Sequence, residues 1–388
     1  MTGEQLTARL AGSAAEIGTA AWNACANPTS APDHHPFTRH EFFIALEESR
    51  SAASQSGWQP CHLVLERSGN IQGLLPLYLK SHSLGEYVFD HGWADALQRA
   101  GGHYYPKLQA SVPFTPVTGP RLLAAACTHR EEIWQALLSF GSLAVERLNA
   151  SSLHITFMTE QEWGAASTRR FLQRTGQQFH WENRGYSSFD DFLGELSSSR
   201  RKNLRKERAA VREAGISFQW VSGRDITETH WDEFFGFYIE TGSQKWGTPY
   251  LTREFFSRVG ASMGDSILLV LALRGRHAIA GALNFFGEGV LFGRNWGAGE
   301  FIPFLHFETC YYQAIDFAIA KGLRKVEAGA QGPHKLLRGY TPVATRSAHF
   351  IAHPGLRRAV AAYLTEEREA VAGEMAELAD LAPFRKEG

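Results

Sequence analysis

Cysteine is scarce. The four in the 388-residue chain, Cys25, Cys61, Cys127 and Cys310, are scattered, with no CxxC pair and no Cys/His spacing suited to zinc. This argues against a disulfide framework and predicts buried thiols in a reduced, cytoplasmic protein. Charge of one sign is scarce too. Lys and Arg total 39 against 40 Asp and Glu, a formal net charge of -1. No global field therefore recruits DNA or a membrane surface, and any anion site must be local. No apolar run reaches the roughly 18 residues of a membrane span, so no membrane insertion is expected. The N-terminus lacks a basic stretch followed by an apolar one. Patterns of the HExxH and DxD kinds and a GxSxG elbow are missing, so no metal is expected and no serine elbow is signalled.

What is present suffices for two cores. The chain is 44% hydrophobic and 12% aromatic, and its length exceeds that at which one core keeps growing. It also repeats itself. Pro36-Phe37-Thr38-Arg39-His40-Glu41-Phe42-Phe43 returns 213 residues later as Pro249-Tyr250-Leu251-Thr252-Arg253-Glu254-Phe255-Phe256. A hairpin follows each octet, Cys61–Leu65 with Ile71–Leu79 and Ile267–Leu273 with Ile279–Phe286, and Gly73 and Gly281 lie 208 residues apart. A helix and a strand follow in turn, over Glu131–Met158 and over Leu305–Ala330. Self-similarity at this period predicts a duplicated α/β (α+β) unit with mixed, mostly antiparallel sheets flanked by helices. The expected division is 1–183, a basic connecting helix and strand over 184–222, a second copy over 223–352, and a C-terminal helix over 353–388. Leu6, Leu10, Ile17 and Trp22 suggest an amphipathic N-terminal helix. A helix reaching Thr175 is expected to precede a strand around Phe179.

Two stretches carry candidate chemistry. In the second copy a short strand bearing Glu327 runs into Gly329-Ala330-Gln331-Gly332-Pro333-His334-Lys335, a glycine loop with an imidazole and a cation at its mouth. Strand ends of this kind are where α/β sheets bind ligands. Glu327 is a candidate general base or a partner of Arg324 or Lys325, His306 a proton shuttle or a packing residue, and His334 a neighbour expected to depress Lys335. The second stretch is Arg201, Arg205, Arg208 and Arg212, striping one helix face as a phosphate grip or as a solvated helix. In the first copy Asp90, His91 and Asp95 are acceptor-binding candidates.

Several further motifs act together: Glu86-Tyr87-Val88-Phe89-Asp90-His91-Gly92-Trp93, Tyr104-Tyr105-Pro106-Lys107, Arg201-Lys202-Asn203-Leu204-Arg205, Gly242-Ser243 with Lys245-Trp246, Phe304-Leu305-His306-Phe307-Glu308, and Glu327 through Gly332 with His334-Lys335. With the repeat, these resemble the tandem GNAT architecture of the FemAB-like acyltransferases, the predicted N-acyltransferases described as peptidoglycan-biosynthesis-like. The resemblance covers nearly the whole chain. It implies transfer of an acyl or aminoacyl group to a small-molecule or peptide amine through a tetrahedral intermediate. The co-substrate would be acyl-CoA or an aminoacyl-tRNA held by its 3′ end, with no permanently bound cofactor. It casts Lys335 as the cation that steadies the oxyanion, and Arg201 and Arg205 as the grip on a nucleotide diphosphate. Lys107, Lys245, Trp246, Glu308 and Gly332 join the binding candidates by position. Arg294-Asn295-Trp296-Gly297-Ala298-Gly299 matches the pyrophosphate loop of coenzyme A-dependent GNAT enzymes, making Arg294, Gly297 and Gly299 donor-binding candidates. The first copy has no such match. The alternative is a tandem GNAT module that binds a nucleotide-linked or amino-acid ligand without turnover.

Overall fold

The computed structural model describes residues 5–30, 34–126, 129–245, 249–329 and 332–385. Its strands are β1 (Thr7–Ala11), β2 (Trp58–Pro60), β3 (His62–Arg67), β4 (Asn70–Leu75), β5 (Tyr78–Lys80), β6 (Lys107–Ala110), β7 (Leu123–Ala124), β8 (Ser152–Ile155) and β9 (Leu172–Glu182). They continue with β10 (Ile216–Ser222), β11 (Ile267–Arg274), β12 (His277–Gly287), β13 (Val290–Ala298), β14 (Lys325–Glu327) and β15 (Thr341–Ile351). The chain forms two compact units, residues 1–176 with 344–372 and residues 177–343 with 373–388. Residues 344–372, expected with the second copy and the C-terminal helix, thus cluster with the first.

In the first unit, β1, β3, β4 and β7 form one sheet, and β15, β8, β6, β5 and β2 are successive neighbours in another. One long hairpin feeds both. Cys61, between β2 and β3, donates its N–H to the Leu77 carbonyl at 2.9 Å, beside the break that Pro76 makes between β4 and β5. Leu63, Leu65, Leu75 and Leu77 pack with Leu153, Ile155 and the helix Arg130–Arg147 through Ile133, Leu137 and Val145. The N-terminus corrects the expected helix. Leu6 and Leu10 satisfy either period, but Ala8 fills the alternation, and all three pack on this core as β1 pairs antiparallel with β3. Only the short helices Ala14–Ile17 and Thr19–Ala26 follow. The helix expected to reach Thr175 ends at Ser167.

In the second unit the order is β10-β11-β12-β13-β14-β9, with β13–β14 its parallel pair. Leu268, Val270, Ala282 and Leu291 face a core built with Leu193, Leu204, Tyr312 and Ile315. The alternating position Gly281 lies against Phe234 of the helix Glu228–Lys245, on the opposite face. The duplication is visible in the register. The bulge between Leu65 and Glu66 in the first hairpin recurs 207 residues later between Ala272 and Leu273. This aligns Gly73 with Ala280, one residue from the match read in the sequence. Each unit also has one helix leading into a strand that runs parallel to its neighbour, β8 beside β6 and β14 beside β13. In the described residues no helix is long and apolar enough to cross a membrane.

Candidate active site

The site begins where two parallel strands part. β13 and β14 run in register for three pairs, ending at Phe292 and Glu327. β13 then continues to Ala298 paired with β12, while the other chain leaves the sheet through Ala328 and Gly329. Gly329 has φ +81°, a conformation that suits glycine. Arg294 is the extra residue of a bulge in β13 just past the parting, since Leu283 pairs with Asn295 and Asn284 with Gly293. In the first unit the equivalent gap beside β6 and β8 is filled by protein. Thr156 N–H bonds the Ala110 carbonyl, and the buried Arg121 guanidinium donates to the carbonyls of Thr156, Gly119, Pro120 and Val117.

Glu327 is the last residue of β14 and is buried. One carboxylate oxygen accepts from Lys325 Nζ at 2.5 Å; the other, Oε2, has no hydrogen-bond partner among the described residues. The registered neighbour His180 on β9 brings its Nε2, also without a hydrogen bond, to 3.8 Å from that oxygen. Burial pushes the His180 imidazole down to about 4, against the pull of Glu327 and with help from the ammoniums of Lys325 and Lys335. His180 is therefore neutral near pH 7. Nothing in the sequence pairs it with Glu327, because strand register makes the contact.

Lys335 sits on the 3-10 turn Pro333–Arg338, is only 2% exposed, and donates to the Gly329 carbonyl at 2.9 Å. Burial pushes its ammonium down to about 8; Cys310 works the other way and Arg294 adds to the depression. His334, expected to be the depressing neighbour, is not among those causes. Its Nε2 shares a 2.9 Å hydrogen bond with the Tyr311 hydroxyl. Gly332, at φ +114°, is required by contact, since a Cβ there would stand 2.3 Å from the His334 ring. His306 packs among the rings of Trp296, Tyr311 and His334 at 5.2, 5.3 and 6.2 Å. The structure thus joins Lys335, His334, His306 and Gly332 around one turn, and Lys335 to Glu327 through the Gly329 loop and His180.

Arg294, at the parting, acts on Lys335, while the remaining candidates fall elsewhere. The Arg294–Gly299 run is no loop before a helix. Gly297 pairs with Gly281 within the β-ladder, and the Gly299 N–H bonds the Ile279 carbonyl. These amides are committed to the sheet, not aimed at an anion. Gly297 is small because a Cβ there would lie 2.2 Å from the backbone of Phe237. Gly297→Ala should therefore cost about 1–3 kcal/mol in urea unfolding by forcing the helix Glu228–Lys245 off the sheet. Along the basic helix Ser198–Glu213, Arg201 is half-buried and Arg205 pairs with exposed Asp190 at 2.9 Å. Glu308 is buried in a π-helical turn, gripped by Arg208 at 2.9 and 3.1 Å and by Gln313 at 2.9 Å. Trp246 and the side chain of Lys245 lie outside the described residues.

In the first unit Asp90 and His91 separate. His91 is exposed, stacked on Phe89, whereas Asp90 is buried and bonded by Lys107 and Tyr104. Lys107 spends its three N–H groups on Ser83, Glu86 and Asp90, so Asp90 belongs to a buried ion network, in which Glu86 Oε1 and Asp90 Oδ1 have no hydrogen-bond partner among the described residues.

The family described as FemAB-like, peptidoglycan biosynthesis/recognition, matches residues 13–386. The chain belongs to the FemAB-like family. Among solved structures, FemX is 11% identical, covers 89% of this chain and 98% of its own, and superposes with a TM-score of 0.54. A conserved protein of unknown function from Bacteroides thetaiotaomicron VPI-5482 is 10% identical, with coverages of 88% and 99% and a TM-score of 0.51. At such identities the likeness establishes the fold, and it agrees with the α/β architecture expected from the repeat. No curated protein matches the sequence.

Proposed function

We propose that this FemAB-like protein is an N-acyltransferase, moving an acyl or aminoacyl group from an activated donor to an amine. One observation carries the reading: a buried lysine anchored to the Gly329 carbonyl, two residues past the buried carboxylate of Glu327, one oxygen of which has no hydrogen-bond partner among the described residues. The neutral amine attacks the donor carbonyl, and the carbonyl oxygen gains charge that the Lys335 ammonium stabilises. The attacking nitrogen gives its proton to Glu327 Oε2, which faces the neutral His180 imidazole at 3.8 Å. Collapse then breaks the bond to the leaving group, a thiolate or a ribose alkoxide, which departs with the electron pair and takes the proton held on Glu327. The family description favours an amine of a cell-wall peptide precursor as acceptor, and acyl-CoA and aminoacyl-tRNA are the two donor classes.

The test is to incubate the full chain with each donor class and a panel of amines, including lysine-containing peptides, and search for new amides by mass spectrometry. The expected result is an amide in one donor arm. Tight donor binding with no amide in either arm would instead make the protein a binding module.

A further inference from the structure

In the first unit, residues 81–90 join β5 to the helix His91–Arg99 without regular structure. The only buried side chains of this segment, Ser83, Glu86 and Asp90, are polar, while Leu84 and Phe89 are 52% and 59% exposed. The polar three meet Lys80 and Lys107, which register opposite each other on β5 and β6 and are both fully buried. We propose that residues 81–90 are a proton-operated latch over this lysine pair, opened and closed by the charge states of Lys80 and Glu86.

The contacts are those of a latch held by charge. Lys107 grips the segment through Ser83 at 2.8 Å, Glu86 at 2.7 Å and Asp90. Lys80 donates to the Leu84 carbonyl at 3.2 Å and stands 3.8 Å from the second oxygen of Glu86, with its ammonium 3.7 Å from the Trp58 ring centroid. Glu86 thus bridges the two lysines. Like charges directly opposite on neighbouring strands repel, and apolar residues would fill such a place at lower cost. The remaining ties are polar as well: Ser83 meets the Tyr105 hydroxyl at 2.8 Å, His82 meets the Ser56 carbonyl at 3.1 Å, and Arg174 donates to the Phe89 carbonyl at 2.7 Å. A segment with so little apolar burial belongs to the part of a fold that opens locally. Opening would present the lysine pair and the unpartnered oxygens of Glu86 and Asp90 to solvent.

Titration sets when it opens. Burial, helped by Asp90, pushes the Glu86 carboxyl from 4.5 up to about 7 against the pull of Lys107 and Lys80. Burial, helped by Lys107, pushes the Lys80 ammonium from 10.5 down to about 7 against the pull of Glu86 and Asp90. Opening returns both groups to water. Between pH 4.5 and 7 the closed latch binds a proton on Glu86 that the open one releases, so rising pH favours opening. Between pH 7 and 10.5 the open latch binds a proton on Lys80 that the closed one lacks, so rising pH favours closing. Opening is therefore easiest near neutrality. The neighbouring groups add no slope on the alkaline side. Asp90, lowered by Lys107 against its burial, and Lys107, raised by Glu86 and Asp90 against its own, both stay ionised. Burial keeps Tyr104, His82 and His154 neutral there, and His349 likewise, packed edge-on to Trp93. The latch stands independently of the acyl-transfer reading.

Amide hydrogen exchange of the full chain tests it, read by mass spectrometry over residues 81–90 and divided by the rate of the same segment as a free peptide. The corrected rate should be highest near pH 7 and about tenfold or more lower at pH 9, with no such fall in β6. Lys80→Met should abolish the fall. Glu86→Gln, which takes a carboxylate away from Lys80, should keep it and move it to lower pH. A corrected rate that is flat from pH 7 to 9, a fall shared equally by β6, or a fall that persists in Lys80→Met overturns the proposal.

Discussion

Lys335→Met should lower the rate of acyl transfer by about 10²–10³-fold while leaving donor affinity within about twofold, the pattern for losing a group that acts on transition-state charge. The asymmetry follows from where the ammonium sits. It is buried, so its field is little screened, and one N–H is fixed on the Gly329 carbonyl, leaving two for another acceptor. A ground-state carbonyl is nearly neutral and gains little from it; a tetrahedral oxyanion gains much. Methionine fills the same volume without charge, which separates the electrostatic effect from a packing defect. Equal losses of binding and rate would instead make Lys335 a donor-binding residue.

The second large effect lies in the first unit and concerns folding. Lys107→Met should destabilise the protein by about 3–5 kcal/mol in urea unfolding at pH 7, because it leaves buried carboxylates without their counter-ion. Lys107 is fully buried, and it bonds Glu86 at 2.7 Å as well as Asp90. Burial alone would raise the Asp90 carboxyl, but Lys107 above all holds it well below the usual range. That contribution is fully present above the ordinary carboxyl range near pH 4 and is lost as pH falls through the lower folded value. Glu86 behaves oppositely, its carboxyl pushed up to about 7 by burial despite Lys107 and further by Asp90. Removing Lys107 therefore makes protonation the relief for both acids. The variant's deficit should shrink as pH is lowered from 7, and Asp90→Asn added to Lys107→Met should recover part of the stability. A deficit that stays constant with pH, unmoved by Asp90→Asn, would show the loss to be one of packing.

The sequence disclosed what local pattern can encode. The octets and hairpins recur in order, and the structure repeats even their bulge at a 207-residue interval. The closing strands were harder to read, because their partners are distant in sequence: β9 pairs with β14 in the second unit, β15 with β8 in the first. The same reason hides His180, which meets Glu327 across that register, and its counterpart His349, whose Nδ1 lies 2.7 Å from that of His154. Glu327 and Lys335 stood out because a charge on an apolar strand or beside a glycine loop is locally conspicuous. Gly297 misled for a physical reason: a glycine that admits a helix backbone and one that admits a phosphate look alike in sequence.

Central to the account is a cationic Lys335 in the second unit, and its burial makes a direct test available. Single-turnover transfer, with donor prebound, should be followed from pH 6 to 10. The lysine must be protonated to act, so the rate should fall as pH rises through the value near 8 to which burial brings it. The residual rate of Lys335→Met should lack that alkaline limb. If the limb persists in Lys335→Met, some other group sets it, and the role assigned to Lys335 is wrong.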